Sequence, residues 1–201
     1  MKAAALLLSL ALAVAPGCRR EGEEGGGTDA PAVLARVGPF SLIERSGATV
    51  TREDLQGRSW VASFLFTRCT GPCPKVAGTL RKLQARLDGG PVRIVTFTVD
   101  SLFDTPEVLA RYAEDLGAER ERWLFLTGEE GAIHALIRES FLSAAARAPE
   151  GTAPIGLHVT HGTRLFAVDP SGAVRGYVEG ETDAQLDRLL DLLGRIEGPA
   201  R

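Results

Sequence analysis

Apolar residues recur along this 201-residue chain with two alternating spacings, one typical of strands and one typical of helices. Residues 59–66 form a continuous apolar run, which predicts a strand covered on both faces. In residues 74–87 the apolar positions follow at intervals of three or four, which predicts a helix with Pro74 in its first turn. Residues 92–99 alternate again in the manner of a strand.

Turn and capping signals predict the remaining elements. Ser46-Gly47 and the run Asp-Pro-Ser-Gly at 169–172 each predict a hairpin. Thr127-Gly128-Glu129-Glu130 has the form of a capping box in front of a helix. The further predicted elements are hairpin strands at 40–44, 49–51, 163–168 and 174–178, a strand at 123–126, and helices at 105–116, from the capping box to 141, and at 183–196.

This order of elements predicts an α/β fold of the thioredoxin-like class, with a central mixed β-sheet, helices on both faces and an added N-terminal β-hairpin. Residues 33–199 are long enough for one domain, and no internal repeat or second linker divides them. We expect residues 143–156, which are rich in alanine, proline and glycine, to form a mobile surface loop.

The N-terminus predicts export. Lys2 precedes an apolar stretch of twelve residues at 3–14, which is shorter than the roughly 20 residues of a membrane-spanning helix. The following Ala15-Pro16-Gly17-Cys18 resembles the end of a bacterial lipoprotein signal, which implies that residues 1–17 are removed and that Cys18 is lipidated. Residues 18–32 contain too little apolar surface to fold and are expected to form a flexible tether.

Charge and cysteine content narrow the function classes. The chain carries 23 basic and 26 acidic residues and no basic stripe, which argues against a nucleic-acid partner. Of the three cysteines, Cys18 is assigned to the anchor, so Cys69 and Cys73 remain as a pair in a compartment where disulfides persist.

The cysteine pair lies where the strand at 59–66 should turn into a helix. A helix N-terminus favours thiolate over thiol and is expected to lower the cysteine pKa. If the helix begins early enough, positions i and i+4 put both sulfurs on one helical face, with Cβ atoms about 5–6 Å apart. A thiolate there can attack a disulfide or bind a soft metal, and a merely structural disulfide is the alternative.

Three sequence blocks together resemble the Sco/SenC family over roughly residues 40–193. Members are thioredoxin-like copper proteins that help to assemble the dinuclear copper site of cytochrome c oxidase. By this resemblance Cys69, Cys73 and His161 match the copper ligands, and Asp100 matches an acidic residue near the metal. The blocks are Phe66-Thr67-Arg68-Cys69-x3-Cys73-Pro74, Thr98-Val99-Asp100-x3-Asp104-Thr105-Pro106-Glu107-Val108-Leu109, and Thr160-His161-Gly162-Thr163 followed by Phe166 to Gly172.

The donor types agree with that assignment. Thiolates select Cu(I), and imidazole suits copper in either valence. We expect Asp100 to orient the His161 imidazole as a hydrogen-bond acceptor, with weak axial ligation as the alternative. We expect His134 to be exposed or structural, and we exclude His158 because an odd separation from His161 on one strand places the two side chains on opposite faces.

Two functions therefore remain open. In the first, the protein is an exported, membrane-anchored copper metallochaperone, not an enzyme, that faces the periplasm or another extracytoplasmic space. Its partner would be the copper-site subunit of the oxidase or another copper chaperone. In the second, Cys69 and Cys73 act as a thiol–disulfide reductase, with the copper-site cysteines of the oxidase as a possible substrate.

Overall fold

The secondary structure follows the predicted order. The computed structural model describes residues 31–87 and 89–198, so the predicted signal, Cys18 and most of the tether lie outside the described residues. The elements are β1 (Ala35–Arg36), β2 (Ser41–Glu44), β3 (Thr49–Thr51), a 3-10 turn (Glu53–Leu55), β4 (Trp60–Leu65), α1 (Cys73–Arg86), β5 (Arg93–Thr98), α2 (Pro106–Asp115), β6 (Trp123–Thr127), α3 (Glu130–Phe141), β7 (Ala145–Arg147), β8 (Val159–His161), β9 (Arg164–Val168), β10 (Ala173–Glu179) and α4 (Asp183–Glu197).

Eight of these strands form one mixed sheet in the order β1-β10-β9-β4-β5-β6-β2-β3. Strands β4, β5 and β6 run parallel, whereas β9 and β2 pair antiparallel to β4 and β6 respectively. Every residue of β4 is buried, because the sheet is covered on both faces at its centre. The mixed sheet and its helices confirm the thioredoxin-like fold, and the β2–β3 hairpin is the predicted addition.

An aromatic cluster joins the central strands to α3. Phe64 and Phe97 lie directly opposite each other on β4 and β5, with ring centroids 5.9 Å apart. The Phe141 ring, at the end of α3, lies 5.1 Å from that of Phe64 and 5.3 Å from that of Phe166 on β9. The two contacts of Phe141 are edge-to-face, and they pack the end of α3 against the central strands.

Two local predictions are wrong. Residues 145–147 are not part of a loop but form β7, which pairs antiparallel with β8 and brings Ala145 opposite His161. A strand of two alanines and one arginine is too short to show a hydrophobic period, so only its long-range partner reveals it. The N-cap of α3 is Glu129, whose carboxylate accepts from the N–H groups of residues 131 and 132, because Thr127 is still part of β6.

The described helices are short amphipathic or buried elements of the domain. None within residues 31–87 and 89–198 has the combined length and apolar character that crossing a bilayer requires.

Candidate metal centre

The cysteines lie on the connection between β4 and α1. Cys69 is partly exposed in the loop, and its N–H donates to the Phe66 carbonyl (3.3 Å). Cys73 is the first residue of α1 and is buried, with 1% of its surface exposed. Both are free thiols. The two cysteines therefore differ in access, since Cys69 is only partly buried whereas Cys73 is almost fully enclosed.

His161 is the last residue of β8 and lies 88 positions after Cys73 along the chain. Its Nδ1–H donates to the Gly162 carbonyl (3.0 Å), which leaves Nε2 without a proton and directed at Cys73 Sγ, 3.2 Å away. The imidazole also packs edge-on against the buried ring of Phe66, with centroids 5.7 Å apart. Burial lowers the pKa of His161, so the neutral imidazole is favoured.

One donor atom each from Cys69, Cys73 and His161 forms a cluster in which all atoms lie within 4.8 Å of one another. Two donors on one ion, each about 2.0–2.3 Å from it, can be at most about 4.6 Å apart, so a small side-chain adjustment suffices to close the set. Two sulfurs and one imidazole nitrogen are donors that suit copper or zinc. The residues present therefore fit a soft metal ion.

The predicted effect of the helix start on the cysteines is wrong for Cys73. Burial raises the pKa of this thiol, and its contact with Cys69 raises it further. Because the side chain is enclosed by the core, loss of solvation for the thiolate outweighs the helix macrodipole. In the metal-free protein Cys73 is a thiol that can donate to His161 Nε2.

Asp100 does not contact His161, so its predicted role as acceptor for that imidazole is wrong. The Gly162 carbonyl takes this role, since it accepts from His161 Nδ1–H at 3.0 Å. The Asp100 carboxylate is fully buried and instead pairs with Arg68 (2.7 Å) and Arg147. Burial acts to raise the pKa of Asp100, but the hydrogen bonds from these two arginines lower it overall.

This carboxylate connects the two parts of the metal centre. Arg68 precedes Cys69 in the loop, whereas Arg147 belongs to β7, the partner strand of β8. Arg147 also pairs with Glu130 at the start of α3. Asp100 thus fixes the distance between the loop that contains Cys69 and the β7–β8 strand pair that contains His161.

His158, which the sequence reasoning excluded, belongs to the same network. Its Nδ1 accepts from the Gly156 N–H (3.1 Å), so Nε2–H donates to Asp100 (3.0 Å), and its ring lies 5.5 Å from Phe66. The strand rule failed because β8 begins only at Val159. No local signal marks this role, since the partner is 58 positions away.

Two further buried groups complete the surroundings. His134 is structural, as predicted, because its Nε2–H donates to the Val99 carbonyl (2.9 Å). Asp104 is buried and accepts from the Thr67 N–H (3.1 Å) and from the hydroxyls of Thr67 and Thr98. Burial raises the pKa of Asp104. Its place in the second sequence block was the signal that could have identified it.

Comparison with known proteins matches the chain to Sco proteins by family model, by sequence and by structure. The family model described as SCO1/SenC matches residues 29–191. The SCO1 protein homolog of Bacillus subtilis is 31% identical over 157 residues, which cover 77% of this chain and 79% of that protein. The structure of BsSco, described as a member of the Sco family of cytochrome c oxidase assembly proteins with a disulfide switch, is 28% identical with a TM-score of 0.73. The match covers 85% of this chain and 99% of the BsSco chain. The structure of Arabidopsis thaliana ScoI with copper bound is 25% identical, with a TM-score of 0.64. The match covers 81% of this chain and 99% of the Arabidopsis chain.

Proposed function

Since the chain belongs to the SCO1/SenC family, we propose that it binds copper through Cys69, Cys73 and His161 and delivers it to the dinuclear copper site of cytochrome c oxidase. The observation that carries the proposal is the convergence of two thiols and one imidazole within 4.8 Å, although His161 lies 88 positions after Cys73. Copper is the cargo, and nothing is turned over.

The relatives support the choice of metal and of target. Arabidopsis ScoI was crystallised with copper bound, and BsSco is described as a cytochrome c oxidase assembly protein. Zinc would suit the same donors, so the donor set alone leaves the metal open and the family membership favours copper.

The unequal exposure of the donors suggests how copper is held and released. Cys73 and His161 are anchored by a helix and a strand, whereas Cys69 is in a loop and partly exposed. An incoming ligand of the acceptor would therefore reach the ion on the Cys69 side, and Cys69 would be the first donor replaced. Metal binding requires loss of the thiol protons, so copper uptake releases protons.

The test is an anaerobic copper titration of the reduced full-length chain. We expect one copper per chain and, with Cu(II), a thiolate-to-copper charge-transfer band that His161→Ala abolishes. His158→Gln is the matched control, because that imidazole touches Asp100 and not the thiols, and it should keep the band. A wild-type protein without the band and without tight copper binding would refute the proposal.

A second candidate function has its own observation. Cys69 is partly exposed and Cys73 is buried, with their sulfurs close together, as in a pair where one thiolate attacks and the other resolves. Cys69 would form a mixed disulfide with a partner disulfide, and Cys73 would release the partner as a dithiol. The protein would then hold a Cys69–Cys73 disulfide, and the copper-site cysteines of the oxidase are the candidate substrate.

This reductase activity does not need His161, which separates the two functions. Metal-free His161→Ala should reduce a model disulfide at the rate of the wild type if reduction is the function. A dithiol that is inert in both proteins eliminates the alternative.

We further propose that Cys18 carries a lipid, that residues 1–17 are removed, and that residues 33–199 are thereby held at the membrane on the periplasmic or extracytoplasmic side. The support is the signal-like sequence up to Cys18. Mass spectrometry of the protein recovered from membranes should show a lipidated N-terminal cysteine, which Cys18→Ser should lack. An unmodified chain recovered from the soluble fraction would contradict the anchor.

A further inference from the structure

Phe66 contacts each of the three residues that carry the candidate donors. Its carbonyl accepts from the Cys69 N–H (3.3 Å), and its backbone N–H interacts with Cys73, which acts to lower the pKa of this thiol against the effect of burial. Its buried ring packs edge-on against the imidazole of His161, with centroids 5.7 Å apart. The positions of both cysteines therefore depend on the backbone of Phe66, and the position of the imidazole depends on its ring.

The residue after Phe66 is bound to Asp104. The Thr67 N–H donates to the Asp104 carboxylate (3.1 Å), and the Thr67 hydroxyl donates to it as well. The parallel pairing of β4 with β5 ends at Leu65 and Thr98, so Thr67 lies just beyond the paired part of the strand. The two bonds to Asp104 therefore continue the attachment of the chain from the end of β4 toward the cysteine loop.

Asp104 is itself held in place by the end of β5. Its carboxylate accepts from the Thr98 hydroxyl, and its N–H donates to the Asp100 carbonyl (2.9 Å). The residue is fully buried, so water cannot replace a hydrogen bond that it loses. A donor or acceptor left unsatisfied in such a place is costly, which makes the connection between Thr67 and Asp104 a stiff one.

We propose that Asp104 is a positioning residue of the metal centre, which fixes Phe66 through Thr67 and thereby fixes the relative positions of the three donors. Its role differs from that of Asp100, because Asp104 acts on the segment that contacts the donor residues themselves. The consequence for the metal rests on the proposed copper function, whereas the packing belongs to the metal-free chain. Groups that orient metal ligands typically change metal affinity by about 10–100-fold.

An experiment without metal tests the positioning directly. Alkylation of the reduced full-length chain with iodoacetamide, followed by mass spectrometry, gives separate rates for Cys69 and Cys73. Thr67→Val removes the hydroxyl and keeps the shape, and it should raise the rate at the buried Cys73 about tenfold. Thr67→Ser keeps the hydroxyl and should retain the wild-type rate. Equal Cys73 rates in the wild type, Thr67→Val and Asp104→Asn would overturn the proposal.

Copper binding tests the consequence for the site. In Thr67→Val and Asp104→Asn we expect Cu(I) binding, measured in competition with bicinchoninate, to be about tenfold weaker and the thiolate-to-Cu(II) band to shift in wavelength. Thr67→Ser should keep the wild-type affinity and band.

Asp169→Asn is the matched control. Asp169 is also buried and accepts from the N–H groups of Ser171 and Ala173, but it lies where β4 begins, whereas the cysteines follow the end of β4. This variant should keep the wild-type affinity and band. An equal change in Asp169→Asn, or no change in Thr67→Val and Asp104→Asn, would overturn the proposal.

The two experiments separate this inference from the copper proposal. A wild type that binds no copper would refute the proposed function, and the alkylation rates would then decide the positioning role alone. If Asp104→Asn fails to fold, Thr67→Val and the recovery in Thr67→Ser decide.

Discussion

Replacement of the buried carboxylate that joins the two parts of the metal centre, Asp100→Asn, should measurably destabilise the fold. The change keeps the shape of the side chain but removes the charge that compensates Arg68 and Arg147. Removal of one partner from a buried ion pair costs about 3–5 kcal/mol. The two arginines keep 29% and 25% of their side chains exposed, so water can partly solvate them. We therefore expect a loss of about 2 kcal/mol.

Thermal unfolding of the metal-free chain measures this loss. For a domain of this size about 2 kcal/mol lowers the Tm by about 4–8 °C. Asp183→Asn is the matched control, because this residue pairs with Lys82 on the surface and should leave the Tm nearly unchanged. A double-mutant cycle with Arg147→Met isolates the pairing, since the two losses should be less than additive. A Tm of Asp100→Asn equal to that of the control, or strictly additive losses, would refute the reasoning.

The pH dependence gives an independent check of the same carboxylate. The pKa of Asp100 is lowered in the folded state, so its contribution to stability is fully present above its unfolded pKa of about 3.9. This contribution is lost as the pH falls through the lower, folded pKa. On acidification below about pH 4, the wild type should therefore lose its advantage over Asp100→Asn. A difference in stability that stays constant or grows in this range would contradict the assignment.

Two further substitutions test the surroundings by thermal unfolding. Gly156→Ala should lower the free energy of unfolding by about 1–3 kcal/mol more than Gly151→Ala. Both glycines have positive φ, but only at Gly156 would the added Cβ meet neighbouring atoms, at 2.7 Å from a threonine hydroxyl. Equal losses would contradict this explanation. Thr96→Val should cost about 1–3 kcal/mol, because it leaves the buried indole N–H of Trp123 without its acceptor. Thr79→Val, which removes only a back-bond within α1, is its control, and a loss as large there would remove the explanation.

Local pattern was sufficient for the main elements of the fold. Strands β4 and β5 and helix α1 correspond to the runs at 59–66 and 92–99 and to the helical spacing at 74–87. A buried strand or an amphipathic helix can be predicted locally, because its spacing of apolar residues is visible over a few adjacent positions. The errors fall where this period is missing. β7 is three residues long, and the start of α3 depends on where β6 ends.

The candidate site also contains features that the local sequence predicted and features that depend on long-range contacts. The position of the cysteine pair at a strand–helix junction followed from local order, and His161 was found through the resemblance of its sequence block. The role of His158 and the true partners of Asp100 were not predictable, because they join residues 32 to 58 positions apart along the chain. Such contacts depend on which strands pair, and that is not a property of any one segment.

The sequence by itself determined the order of elements and the class of fold, because these depend on residue type and on spacing over a few positions. The candidate donors Cys69, Cys73 and His161 were indicated by the resemblance of three sequence blocks. Only the tertiary structure decided that Cys73 is buried and stays a thiol, that Gly162 orients the imidazole of His161, and that Asp100 connects the two halves of the site. Burial and long-range pairing arise only when the sheet assembles, since solvation and charge partners are set by neighbours in space.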